Sequence, residues 1–379
     1  MAMRVENINT TILIQCRKQI GLKVSEVARK IPKIKEIEKG ELKPTYKQLY
    51  VLADLYTVPR WVFISEELPL KYHFNKSVPA FRQFSNNNPK NFNNHKIRKL
   101  IAKIEQYRNL ILDLRKDMDE PIEVFKSPQI TNNASPEHVS TQIYKWLSTS
   151  GNHDFFEWKS LLEQKEIFIF LTSKYKGWSH IDRELLRGFA IYHSKLPIIV
   201  INDSDSKKAQ SFTLFHELGH ILRKENSLDI WEDQNIQIEK WCDKLAGNVL
   251  MPANKLQNIT LPGNPSDALS NIKSLAKSFK VSPYACLVRL RQLRKITQPV
   301  YNHIEEELIE EFQLYQKKRK NRKGGPARNR AKEVVTQYGH IYTAALLQAY
   351  YNKEIGLHKL TRLFDLKKSS HIFEIKRIL

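Results

Sequence analysis

Two histidines four residues apart, His216 and His220, enclose a glutamate in the run His216-Glu217-Leu218-Gly219-His220. On a helix, residues i and i+4 share a face, so both imidazoles can reach one zinc ion. Glu217, one step round, can then hold a water beside it. The chemistry is metal-assisted hydrolysis, with Glu217 as the base that takes the water's proton. Chance alone produces this spacing in about two such chains per hundred, so its surroundings matter. A hairpin strand precedes it, and Phe212, Phe215, Leu218, Ile221 and Leu222 form buried positions of a helix over 212–224. Gly219 removes a side chain where another backbone is expected to approach.

A catalytic zinc has three protein ligands and one open position. A third histidine in the pattern H-x-x-G-x-x-H is excluded, because Arg223 and Asn226 stand where the glycine and histidine would be. A downstream carboxylate is the alternative, and the candidates are Glu225, Asp229, Glu232, Asp233, Glu239 and Asp243. Ile238, Trp241, Cys242, Leu245 and Val249 mark the buried face of a helix over 236–250, and Glu239 and Asp243 lie along its inner edge one turn apart. The other four fall in the preceding loop. Glu239 is therefore the expected third ligand. Asp243 is expected to accept the N–H of a ligand imidazole, a plain surface charge being its alternative.

These residues need a frame. IFIFL (167–171), GFAIYH and LPIIVIN read as strands, the last two as a hairpin around Ser194-Lys195. Helices are expected near 140–148, up to Glu166, over 272–293 with a break at Val281-Ser282-Pro283, and over 301–316. Upstream, 9–65 reads as a small helical domain, and the Asn-rich segment 85–94 as a linker. Along 95–118, Ile97, Ile104, Ile111 and Met118 recur every seven residues with Leu100, Tyr107 and Leu114 between them. This narrow seam requires a partner, expected within the same domain rather than in another subunit. The tract KKRKNRKGGPARNRAK (317–332) reads as a basic linker to a small helical unit at 333–379. The fold class is α+β, mostly helical.

The 379 residues leave room for two to three domains. A net charge of +22 makes phosphate backbones, anionic membrane surfaces and acidic proteins plausible partners without choosing among them. Cys16, Cys242 and Cys286 are odd in number and far apart, which argues against a disulfide framework or a cysteine zinc site and points to the cytoplasm. The opening MAMRVENINT lacks the apolar run of a secretory signal, and the longest apolar runs are strand-sized, so no membrane segment is expected.

FTLFHELGH followed by IEKWCDKLAGNVLMP resembles the ImmA/IrrE zinc-peptidase family, whose pattern is F-T-x-x-H-E-x-x-H, then E-x-x-A-[ND]-x-F-A and a closing L-M-P. Phe212, Thr213, His216, Glu217, His220, Glu239, Asp243, Ala246, Leu250, Met251 and Pro252 match it, while Cys242 stands for Ala and Leu245 for Phe. The resemblance covers roughly residues 140–293 and implies a zincin-like, gluzincin-type metallopeptidase domain within 140–316. It also implies Zn2+ as cofactor and a regulatory protein of repressor or antitoxin type as substrate, in stress response, mobile-element control or phage defence. The edge of the 189–202 hairpin is a candidate template for an extended substrate.

Upstream, GLKVSEVARKI, EIEKGELKPTYKQLYVLADLY and VPRWVFI resemble an XRE-type helix-turn-helix within residues 1–84, extending to PAFR at 79–82. Between Ile31 and Ile37 the chain is roughly four residues shorter than that pattern, which removes the turn and the first part of the helix that would enter a major groove. A protein-binding or structural module is the expected role, with DNA through residues 1–84 or the basic tract 317–332 as the weaker expectation. Residues 85–139 then form a linker and long amphipathic helix. The competing function is a noncatalytic, zinc-containing transcriptional regulator or sensor; a pure scaffold, however, has no need of Glu217 beside the metal.

Overall fold

The computed structural model describes residues 3–69, 72, 95–131, 133–175, 177–224, 232–320 and 328–379. The segment 85–94, the 79–82 junction, Glu225, Asp229 and residues 321–327 of the basic tract lie outside the described residues.

The N-terminal helices are α1 (Thr10–Gln19), α2 (Val24–Ala28), α3 (Ile34–Glu38) and α4 (Tyr46–Tyr56), followed by a 3-10 turn at Arg60–Ile64. Asn9 caps α1 by accepting from the Ile12 N–H, and Thr45 and Gln48 form a reciprocal capping box on α4. The helices close on a core that includes Leu13, Cys16, Ile34, Leu52, Tyr56 and Phe63. The shortened stretch leaves α3 with five residues, whose Ile34 and Ile37 are buried and whose Glu38 pairs with Arg17 of α1 at 2.6 Å. The long helix α5 (His95–Asp117) sends Ala102 into this core. Its Arg98 donates to the Gln19 carbonyl at 3.1 Å, and its Lys99 pairs with Asp54 at 3.1 Å.

Two helices, α6 (Pro136–Trp146) and α7 (Phe155–Glu163), lead into β1 (Phe168–Leu171), β2 (Gly188–Ile191) and β3 (Ile198–Ile201). Strand β3 is central, parallel to β1 with Phe168 opposite Ile198 and antiparallel to β2 with Gly188 opposite Ile201. The chain is thus mostly helical with a small mixed sheet. The hairpin connection spans 192–197, with Leu196 at φ 50°, and α5 clamps it: Arg108 donates to the carbonyls of Lys195 and Leu196.

The remaining helices are α8 (Lys207–Arg223), α9 (Glu232–Leu250), α10 (Ala253–Leu256), α11 (Pro265–Ser278), α12 (Pro283–Gln292), α13 (Gln298–Lys320), α14 (Arg330–Tyr351), α15 (Leu357–Leu363) and α16 (His371–Ile378). The basic tract is not linker throughout. Its first four residues continue α13 and its last three open α14, because Lys and Arg are good helix formers when nothing interrupts them. Glu232 and Asp233, expected in a loop, belong to the first turn of α9.

Strand alternation divides the sheet into two faces. Ile169, Leu171, Ile199 and Ile201 join Trp158 of α7 and Leu214, Phe215 and Leu218 of α8. Phe168, Phe170, Phe189, Ile198 and Val200 join Leu100, Ile104 and Ile111 of α5 and Tyr338 and Tyr342 of α14. The seam of α5 therefore meets its partner, α14, within the same chain. Helix α14 is broken at Gly339 (φ 76°, ψ 174°), where a Cβ would lie 2.8 Å from the Ile169 carbonyl and collide with the Glu163 carboxylate. The break turns the His340 N–H onto Glu163 Oε1 at 3.1 Å, an oxygen that also accepts from Lys159 Nζ at 2.7 Å.

Candidate metal centre

Helix α8 begins at Lys207, five residues before the expected Phe212, because Ser206 caps it by accepting the Ala209 N–H at 3.2 Å. It ends at Lys224, in the left-handed region at φ 54°. Between these ends Leu214, Phe215, Leu218, Ile221 and Leu222 are buried, and Phe212 is half-buried. Gly219 does face α9, but across it lies a side chain rather than the expected backbone. A Cβ there would sit 2.8 Å from Cys242 Sγ. The missing methyl lets α9 approach closely enough to bring Glu239 over the histidines. Helix α9 is tied down by Trp241 Nε1, donating to the Ala134 carbonyl at 2.9 Å, and beyond its end by Arg289 Nε, donating to the Met251 carbonyl at 3.1 Å.

His216, His220 and Glu239 converge. His216 Nε2 stands 3.0 Å from Glu239 Oε2 and 3.3 Å from His220 Nε2, and His220 Nε2 stands 3.3 Å from Glu239 Oε1. Ligand atoms about 2.05 Å from a tetrahedral ion lie about 3.3 Å from one another, so these separations suit one small cation at their centre. The donor chemistry agrees. His216 Nδ1 lies 2.9 Å from Asp243 Oδ1, so a proton on Nδ1 donates outward and the Nε2 lone pair faces the shared point. Burial alone would raise the pKa of Glu239, but the two imidazoles outweigh it and hold the carboxyl well below the usual carboxylate range. The expected Asp243 contact is present, although that side chain is half exposed.

Glu217 is fully buried, on the side of α8 that meets the sheet. There Gly188 opens β2, and a Cβ on it would lie 2.6 Å from Thr213 Cγ2, 2.9 Å from the Val200 carbonyl and 3.3 Å from Glu217 Oε1. Gly188 thus lets the edge strand pass directly beside the glutamate. Sequence reasoning took it as one more strand residue; a lone glycine at the head of an apolar strand was the available signal of a close approach.

Residues 172–291 match the family model Peptidase_M78, described as the IrrE N-terminal-like domain. The match covers about a third of the chain, from the end of β1 to the end of α12, and includes His216, Glu217, His220, Glu239 and Asp243. Over that segment the chain is similar to a family of metal-dependent peptidases. No curated protein matches the chain significantly. Among the described residues, no helix is long and apolar enough to cross a membrane.

Proposed function

We propose that the chain is a zinc-dependent endopeptidase of gluzincin type, acting in the cytoplasm on a specific regulatory protein of repressor or antitoxin kind, in stress response, mobile-element control or phage defence. The observation that carries this reading is the three-donor cluster of His216, His220 and Glu239, spaced for one tetrahedral ion beside the buried Glu217. Zinc held there would supply Lewis-acid polarisation of the substrate carbonyl and would lower the pKa of the attacking water. Glu217 takes that water's proton as it attacks and delivers it to the leaving amine. Asp243 holds the His216 ring in its ligating tautomer. The outer edge of β2, beside Glu217, lines up an extended substrate by strand pairing.

The test compares new protein N-termini in host cells expressing wild type or Glu217→Gln, with and without DNA damage. A small set of ends present only with wild type is expected, together with a fall of about 10²–10⁴ in turnover of the identified site by the purified variant. No difference under either condition, with both proteins folded and zinc-loaded, would replace this reading with a noncatalytic regulator.

A further inference from the structure

We infer that a cationic cleft running away from the metal centre receives an acidic side chain of the substrate within two residues of the scissile bond; this rests on the peptidase reading above. The helical repeat places the cleft. Stepping back by fours from His216 along α8 gives Phe212 and Lys208, and stepping forward from Glu239 along α9 gives Asp243 and Gly247. These two stripes continue the metal centre into a cleft of about 380 Å³, closed by Tyr284 and Arg289 of α12 and by Arg187 just ahead of β2. Gly247 leaves its floor open, since a Cβ there would meet only Arg289 Cδ at 3.9 Å. Phe212 and Tyr284 contribute aromatic walls.

The charges in this cleft are lopsided. Among the residues lining the cleft, Arg187, Lys208 and Arg289 stand with one carboxylate, Asp243, which is engaged by His216; behind Arg289 lies Glu137, so the surplus is carried toward the Lys208 end. Arg289 is held in place by the Met251 carbonyl and the Asn248 side-chain amide, and Glu137, which accepts from the same Asn248, offsets part of its charge from behind. Arg187 immediately precedes Gly188, the residue against Glu217, so its backbone lies beside that glutamate. A half-enclosed site with this balance favours an anionic group over an isosteric neutral one. The step from His216 to Phe212 is about 6 Å of helix. Two residues of extended peptide at about 3.3 Å each reach as far as Phe212, and an extended glutamate side chain covers part of the further stretch of about 6 Å of helix toward Lys208.

The experiment uses the full-length, zinc-loaded protein and peptides carrying Glu, Gln or Lys in turn at each of the two positions on either side of a cleaved bond. Cleavage is followed by mass spectrometry, and binding of the same peptides to Glu217→Gln by fluorescence anisotropy. At one position Glu is expected to exceed Gln at least tenfold in both kcat/KM and affinity. Arg187→Gln combined with Lys208→Gln should bring the two within about twofold. Lys208→Glu, a substitution at an exposed site that preserves folding, should turn the preference toward Lys. Cleavage with no acidic preference, or with a preference unchanged in these variants, overturns the cleft assignment and leaves the peptidase reading standing. Selective binding without cleavage supports the cleft and sinks the peptidase reading, and peptides neither bound nor cut overturn both.

Discussion

The two faces of the three-stranded sheet are built from different materials. The face toward α8 is aliphatic on the sheet side, Ile169, Leu171, Ile199 and Ile201 against Leu214 and Leu218, with Trp158 and Phe215 meeting edge to face beside them, and it presents the helix pair that carries His216, His220 and Glu239. The opposite face is aromatic: Phe168, Phe170, Tyr107, Trp178, Tyr338 and Tyr342 pack ring on ring, with Tyr338 and Tyr342 stacked 5.1 Å apart. Branched aliphatic side chains adapt to the small displacements of a helix that must place donor atoms to within tenths of an ångström. Large rings with preferred mutual orientations instead lock distant chain segments into one arrangement. One face carries chemistry on helices adjacent in sequence, and the other is a clamp made from α5 and α14, which lie on either side of the family-matched segment.

This contrast can be broken by perturbing each face separately. The largest effect is expected on the clamp. Gly339→Ala adds a side chain at a left-handed φ and pushes it into Glu163 and the Ile169 carbonyl, at a cost of about 3 kcal/mol in urea unfolding. An unchanged unfolding midpoint would show that α14 is not part of the same cooperative unit. On the chemical face, Asp243→Ala at a half-exposed site should weaken zinc binding about 10–100-fold in a chelator competition, while the metal-free protein melts as wild type does. A drop in metal-free stability of the size expected for Gly339→Ala would erase the distinction between the faces. The smallest effect has the opposite sign. The Tyr342 hydroxyl is buried with no hydrogen-bond partner among the described residues, so Tyr342→Phe should stabilise the protein by about 1 kcal/mol. A loss of stability there would reveal a partner for that oxygen.

The site was more legible in the sequence than the body around it, for a physical reason. The spacing of His216 and His220 and the apolar periodicity around Glu239 and Asp243 are local, so helix geometry alone brings the right atoms to the right faces. The start of α8 was missed because Ser206 caps it through its side-chain oxygen, which a scan for apolar positions does not register. The seam of α5 was visible from Ile97 to Met118. Its partner was not, because Tyr338 and Tyr342 lie more than two hundred residues away and no local pattern links the two. Gly339 is the clearest case: it falls inside the small helical unit expected at 333–379, where no local pattern sets it apart. Its role exists only once Glu163 and β1 stand opposite it.

The position of α14 also sets a timetable for biosynthesis. The helices that carry His216, His220 and Glu239 are complete once residue 250 has been made, but the helix that covers the aromatic face of the sheet ends at residue 351. At about 5–20 residues per second, the interval between them lasts roughly 5–20 s. During that time His216, His220 and Glu239 are already in the chain while Phe168, Phe170 and Phe189 wait for the cover of α14, so closure of the body is among the last events of its synthesis.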